Sequence, residues 1–302
     1  MQRLILRRGQ ATRPQLALLA LVIGVCAIAF SPIWVRLSDL GPNAVAFWRL
    51  ALALPLLWGW SRAAAPAVSA PRSARSLLPL LVPGLFFASD LFFWHWAIRL
   101  TSVANATFLP NLAPLLVSLI AWRWMGERLQ PVFAFGLAAA VAGVALMVRA
   151  SAGLGESNVF GDLLGLITAF SYTGYLITLK RLRAHYGAGV LMLASALVGS
   201  VLLAGVTLLM GESFWPAGMT GWLVLFGLAW FSHSGGQGLI AYALAHLPAS
   251  FSSVMLLMQP VLAALFAWVL LGEAVGLWQG LGGGLVILGV ALARRGSDPP
   301  GD

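Results

Sequence analysis

Charge is what this chain has least of. Only 9% of its 302 residues are Asp, Glu, Lys or Arg, 60% are hydrophobic, and the mean hydropathy is +0.91. A soluble domain carries about 25% charged residues because its surface has to be wetted, so two soluble domains of ordinary size are excluded. The shortage is lopsided, with 9 acidic against 18 basic residues and a formal net charge of +9. In a soluble protein that balance is the footprint of phosphate binding; here its meaning depends on where the cations lie. Cysteine is almost absent. Cys26 alone excludes an internal disulfide, a CxxC pair and a multi-thiolate metal site, and its apolar setting is that of a packing residue. HExxH, Gly-x-Ser-x-Gly and Walker patterns are missing too, so neither metal hydrolysis nor ATP coupling is visible. No enzyme activity, cofactor or metal centre is expected. The first apolar stretch runs past the length of a signal-peptide core into more of the same, so no cleavable signal is expected either.

What is present is apolar length. A spanning helix needs about 20 mainly apolar residues across a hydrocarbon core of roughly 30 Å. Ten stretches qualify: 15–35, 43–60, 77–98, 102–122, 131–148, 161–180, 188–210, 219–241, 248–271 and 276–293. Only 61–76 and 149–160 have loop character of any length. Barrel strands alternate with period two, whereas these runs are apolar on every side.

Orientation follows from the retention of cations on the cytoplasmic side. With the N-terminus inside, fourteen cations fall on inner loops and tails: Arg3, Arg7, Arg8, Arg13, Arg62, Arg72, Arg75, Arg123, Arg128, Lys180, Arg181, Arg183, Arg294 and Arg295. Three, Arg36, Arg99 and Arg149, fall outside, and Arg49 lies within a span. That asymmetry places both termini inside and supports an even number of spans. The positive balance then reports topology and attraction to anionic headgroups, and no nucleic-acid partner is expected.

The chain also repeats itself. A shift of 146 residues aligns Pro114 with Pro260, Ala121-Trp122 with Ala267-Trp268, Gly126-Glu127 with Gly272-Glu273, Gly136 with Gly282, and Gly143 through Leu146 with Gly289 through Leu292. Twelve of 33 positions from 114 to 146 are identical without a gap. Apolar composition aligns Leu, Ala and Val by chance, but not Pro, Trp, Gly-Glu and two further glycines in one register. Each unit holds five spans, an odd number, so the second must enter the membrane from the opposite side, as in secondary transporters with inverted repeats. The expected fold is an all-α polytopic membrane protein of ten transmembrane helices in two inverted five-helix repeats, 15–150 and 160–293, with cytoplasmic tails 1–14 and 294–302.

The run from Phe93 to Ala106, followed by Pro114 and Gly126-Glu127-Arg128, resembles the first EamA domain of the drug/metabolite transporter superfamily. Pro260 with Leu271-Gly272-Glu273 resembles the second, and Phe47-Trp48-Arg49 and Gly161-Asp162-Leu163-Leu164 match the starts of its second and sixth spans. The resemblance implies a ten-helix carrier of the bacterial inner membrane, often an exporter of amino acids, metabolites or toxic compounds.

Ionisable groups inside the bilayer cost about 2.5–3.5 kcal/mol at its centre on insertion scales and are functional candidates by default. Arg49 and Asp90 lie at matching depths, ~10 and ~12 Å from the outer ends of their spans at the helical rise. They are expected to pair, either as part of the pathway or as a fixed structural pair. His95, between Trp94 and Trp96, and His233, in the run Ser232-His233-Ser234-Gly235-Gly236-Gln237-Gly238, could carry a coupling proton or be satisfied by a neighbouring hydroxyl or carbonyl. That polar, glycine-rich run is expected to face a cavity, with its glycines loosening the helix or admitting close packing.

The matched fourth and ninth spans carry Asn105, Thr107, Asn111 and Pro114 in one and Gln259 and Pro260 in the other. The prolines are candidate hinges or static bends. Tyr172 and Tyr175 add a polar stripe to the sixth span. The Gly126-Glu127 and Gly272-Glu273 pairs read as helix ends, each glycine a left-handed cap and each glutamate set before the N-terminus of the next helix.

Together these residues suggest a central cavity walled by spans 1, 3, 4, 6, 8 and 9 that binds a small neutral or zwitterionic metabolite and opens alternately to either side. A channel or lipid-handling protein is the alternative, and an intramembrane enzyme built on Asp90 with His95 or His233 a third.

Overall fold

The computed structural model describes residues 13–63, 74–100, 109–151, 159–271 and 276–297. These form α1 (Arg13–Ala29), α2 (Ser31–Leu37), α3 (Pro42–Ala51), α4 (Leu54–Ala63), α5 (Ala74–Leu100), α6 (Ala113–Trp124), α7 (Pro131–Ser151), α8 (Val159–Leu182), α9 (Ala188–Leu209), α10 (Met219–Phe226), α11 (Gly238–Ala243), α12 (Ala249–Met255), α13 (Met258–Leu271) and α14 (Leu277–Gly296). A 3₁₀ turn, Pro110–Leu112, leads into α6, and a π-helical stretch, Gly227–Gln237, joins α10 to α11. Extended pairing among the described residues is limited to one bridge, Leu129 to Ser297.

Among the described residues, seven helical segments are long and apolar enough to cross a membrane: Pro14–Val35, Pro42–Ala63, Leu78–Ala97, Val159–Leu182, Ala188–Leu209, Ala249–Leu270 and Leu277–Gly296. Of the other three expected spans, the fourth begins in residues outside those described, the fifth contains the shorter apolar helix Pro131–Met147, and the eighth is divided by the π-helical stretch. Asn105, Thr107, Gly272 and Glu273 lie outside the described residues. Outward-facing side chains such as Leu78, Phe135, Val201 and Leu209 are 65–84% exposed. A surface so apolar on so many helices suits lipid and not water.

The tightest helix contact joins the two repeats. A Cβ built on Gly136 would lie 2.6 Å from the Gly289 carbonyl oxygen, and one on Gly289 would lie 2.5 Å from that of Gly136. Gly143 and Gly282 exchange the same relationship at 2.6 and 2.7 Å. Because Gly136 is the repeat equivalent of Gly282, and Gly143 of Gly289, the antiparallel helices α7 and α14 meet through swapped, equivalent residues. That exchange is the signature of a two-fold relation. Small residues allow such backbone approach where lipid supplies no hydrophobic drive for helix association.

Two further ties cross between the repeats, one at each end of the bundle. Gly126, at φ 72°, closes α6, and the backbone N–H of Glu127 donates to the Ala121 carbonyl. The Glu127 carboxylate does not serve the following helix α7. It accepts from the N–H groups of Ala249 at 2.6 Å and Ser250 at 3.1 Å, and from the Ser250 hydroxyl, so that it caps α12 in the other repeat. The chain after the left-handed Gly126 carries the carboxylate across to the nearest free N-terminus instead of back along its own path. Gly211, at φ 66°, and Glu212 repeat the device at the opposite end: the Glu212 carboxylate accepts from the Ala44 N–H at 2.9 Å and the Asn43 amide at 2.7 Å, capping α3.

Candidate functional site

One face of α5 supplies the floor of a cavity of about 220 Å³. Phe87, Asp90, Leu91 and Trp94 follow at spacings of three, one and three residues, the stripe a helix presents to one side. The same spacing recurs on the segment α12–α13, where Leu256, Gln259, Pro260 and Ala263 form the facing wall. Thr168 and Tyr172, four apart on α8, Ile28, Ala29 and Ser31 around the junction of α1 and α2, Arg49 from α3, Gln237 from the end of the π-helical stretch, and Pro110, Asn111, Ala113 and Pro114 complete its described lining. Both repeats contribute, and the second span, absent from the expected wall, enters through Arg49.

Helix breaks shape this wall. The 3₁₀ turn Pro110–Leu112 precedes α6, and a turn at Leu256 and Leu257 separates α12 from α13. Pro114 and Pro260 therefore stand in the first turn of restarted helices, where proline's fixed φ and missing N–H are tolerated.

Arg49 and Asp90 meet in the cavity, but no ion pair closes between them among the described residues. Their charges act on one another across the void. The guanidinium lies over the Phe87 ring, 5.9 Å from its centroid, one turn before Asp90 on the same helix. Arg49 is 8% exposed and its Nε is buried with no hydrogen-bond acceptor among the described residues. The expected direct pair is thus not closed: the two charges line one cavity without contact, and the guanidinium lies at the edge of cation–π range from Phe87.

Trp94, Asn111, Tyr172, Gln237 and Gln259 all line the cavity with them. Tyr175 stands behind Tyr172, fully buried, with its hydroxyl 3.4 Å from the Met192 sulfur. His95 turns away and its Nδ1 donates to the Leu91 carbonyl one turn back at 2.5 Å. Trp96 packs beside Ala97 and Leu164. The run around His233 does not face the cavity as a whole. Ser232 donates to the Ala27 carbonyl at 2.8 Å, Gly236 packs against Gly24 and Ile28 of α1, and His233 is fully buried, stacked on Phe87 at 5.4 Å; only Gln237 reaches the lining. The stretch takes π geometry and its Gly236 packs closely on α1, while its polar side chains part: Ser232 to α1, His233 to Phe87 of α5, Ser234 back to the Ala229 carbonyl and Gln237 to the cavity.

Phe87, Ser31, Thr168 and Leu256 were not singled out from the sequence. For three of them the signal was helical spacing from residues that were: Phe87 is three before Asp90, Thr168 four before Tyr172 and Leu256 three before Gln259. Ser31 carries no such signal.

No lining residue comes from the end of the bundle that holds Lys180 and Glu127. There Lys180 Nζ donates to the Leu247 carbonyl at 2.6 Å beside the Glu127 cap on α12. Gln237, Ser31 and Trp94 are among the cavity's lining.

Comparison with known proteins agrees with this architecture. The model of the EamA-like transporter family matches residues 15–149 and 159–295. An uncharacterized transporter of Archaeoglobus fulgidus is 26% identical over 291 residues, covering 91% of this chain and 95% of the relative. The pseudopaline exporter CntI of Pseudomonas aeruginosa is 25% identical over 252 residues, covering 83% and 85%. A crystal structure covering 92% of this chain and 97% of its own superposes with a TM-score of 0.79 at 21% identity, which speaks to fold alone. The two matched segments coincide with the two sequence repeats, and the chain belongs to the EamA-like transporter family, with two EamA domains and the multi-pass helical membrane architecture of the drug/metabolite transporters.

Proposed function

We propose that the chain is a secondary transporter of the inner membrane, with ten spans and both termini in the cytoplasm, that exports small neutral or zwitterionic metabolites by alternating access. The observation that carries this reading is a mainly apolar cavity walled by both repeats, into which Arg49, Asp90, Asn111, Tyr172, Gln237 and Gln259 bring polar groups. Polar groups and helix breaks at membrane depth are tolerated where they line such a cavity. Its volume of about 220 Å³ lies below the roughly 300–1,000 Å³ of drug-sized pockets and favours a small metabolite over a bulky compound.

In this reading the breaks before Pro114 and Pro260 are hinges, and the Glu127 and Glu212 caps are the ties that part and re-form as the repeats rock. The name of the Pseudomonas relative supports export as the direction.

Reconstitution into liposomes tests it. Saturable flux with counterflow of a trans-loaded substrate is the expected result. Flux that rises linearly with concentration and shows no counterflow would make the protein a channel.

A further inference from the structure

The wall of the cavity is uneven between the two repeats. In the first, α6 buries Ala113, Pro114, Val117 and Ser118. Their repeat equivalents on α13 are Gln259, Pro260, Ala263 and Ala264, and all four are only half-buried. The difference begins at the turn before α13, since every residue from Ala249 to Leu257 is buried. Bonding differs in the same sense. Thr173 of α8 donates to the Ala113 carbonyl at 3.4 Å, whereas no hydrogen bond joins α13 to α1 or α2 among the described residues.

α13 runs beside α1 and α2, and an aromatic cluster spans the space between them. Phe30, at the break between α1 and α2, lies 4.1 Å ring to ring from Phe266 and 5.6 Å from Phe231. Neither Phe30 nor Phe266 lines the cavity, although Ala29 and Ser31 on either side of the first and Ala263 one turn before the second do. The outer face of the cluster is lipid surface: Phe231 is 50% exposed, Leu265 43% and Val269 66%. A single layer of aromatic rings therefore separates a mainly apolar cavity from hydrocarbon.

We infer that this seam is a lateral portal, through which part of a phospholipid acyl chain enters the cavity from the bilayer and binds against Ile28, Ala29, Pro260 and Ala263. The occupant follows from the surroundings. A water molecule in an enclosed site needs about two to four polar partners, and beside the seam only Ser31 and Gln259 offer polar side chains. An apolar void left dry forfeits the dispersion contacts of its lining. An acyl chain already adjoins the seam, restores those contacts and has no polar group to satisfy. Arg49, Asp90, Tyr172 and Gln237 come from other segments of the wall, so the chain leaves the polar side of the cavity free. The site depends on the cavity and on its setting in lipid, and not on the substrate or direction proposed above.

The test uses the full-length protein in liposomes that contain phosphatidylcholine bearing a photoreactive diazirine at the middle or the end of one acyl chain. After irradiation, peptide mass spectrometry compares adducts on the lining residues Ile28 and Ala263 with adducts on the lipid-facing residues Leu265 and Val269. The wild type should carry both kinds. Phe30→Ala removes the contact that closes the seam, so the ratio of lining to lipid-facing adducts should rise roughly threefold or more. Phe266→Ala should act alike, and Phe30→Trp should lower the ratio. Absence of lining adducts from the wild type, or a ratio indifferent to Phe30 and Phe266, overturns the portal, and the wild-type result decides even if a variant fails to fold. Counterflow is a separate readout: its absence sinks transport and leaves the portal standing, whereas counterflow without lining adducts does the reverse.

Discussion

Gly143 and Gly282 approach so closely that a methyl group on either would lie within 2.7 Å of the other's carbonyl oxygen. Neither backbone can yield without moving a whole helix, so the cost of a side chain falls on the seam between the repeats. Gly143→Val is expected to destabilise the protein by about 1–3 kcal/mol or more through overpacking. Gly59, which has open space around it, serves as the control. Gly59→Ala should be neutral or slightly stabilising, since Ala is the better helix former. Thermal unfolding in detergent checks both, and a tolerated Gly143→Val would remove the close seam.

The Glu127 caps predict coupling across the bundle. Glu127→Gln and Ser250→Ala should each lower stability by ~0.5–2 kcal/mol, the range for loss of a helix N-cap. Because both act on the same cap, the double variant should cost less than the sum. Strict additivity in a double-mutant cycle would show that the two residues are independent.

His233 is buried against Phe87 with both ring nitrogens lacking partners among the described residues. An aromatic ring without polar atoms should fit there better. His233→Phe is expected to raise stability by about 1–3 kcal/mol, the penalty of an unsatisfied buried polar group. Arg49 is the charged group whose field reaches this ring, and the ring does not line the cavity, so the dependence of flux on pH between about 5 and 8 should be unchanged. A flattened profile would instead make His233 the carrier of a coupling proton.

Arg49 and Asp90 should show an interaction energy even without contact. Arg49→Gln leaves a half-buried carboxylate and Asp90→Asn a buried guanidinium without its counter-charge, so each single change should be more damaging than expected from the double. A coupling of about 0.5–3 kcal/mol is expected in a stability cycle. Zero coupling would mean that water in the cavity screens the two completely.

Much of this protein is written in its sequence. Apolar runs of spanning length report helices in lipid because the requirement is local: every backbone group must be bonded within its own segment. The shift of 146 residues is equally legible, and with it the glycines that meet in swapped pairs across α7 and α14. Helical spacing of four also puts Asp90 and Trp94 on one face.

What no local rule contains is which face lies opposite. Arg49 and Asp90 matched in depth, but only packing decided that they would line one cavity without closing an ion pair. Glu127 stands four residues before α7 in the chain, yet caps α12, which begins at Ala249, because a carboxylate answers to the nearest free N–H groups in space and not to the next helix in order. The polar run at His233 likewise divided among distant partners, Ser232 bonding to α1, His233 stacking on Phe87 of α5 and Gln237 reaching the cavity. In each case the deciding partner is distant in sequence, and only the folded bundle brings it near.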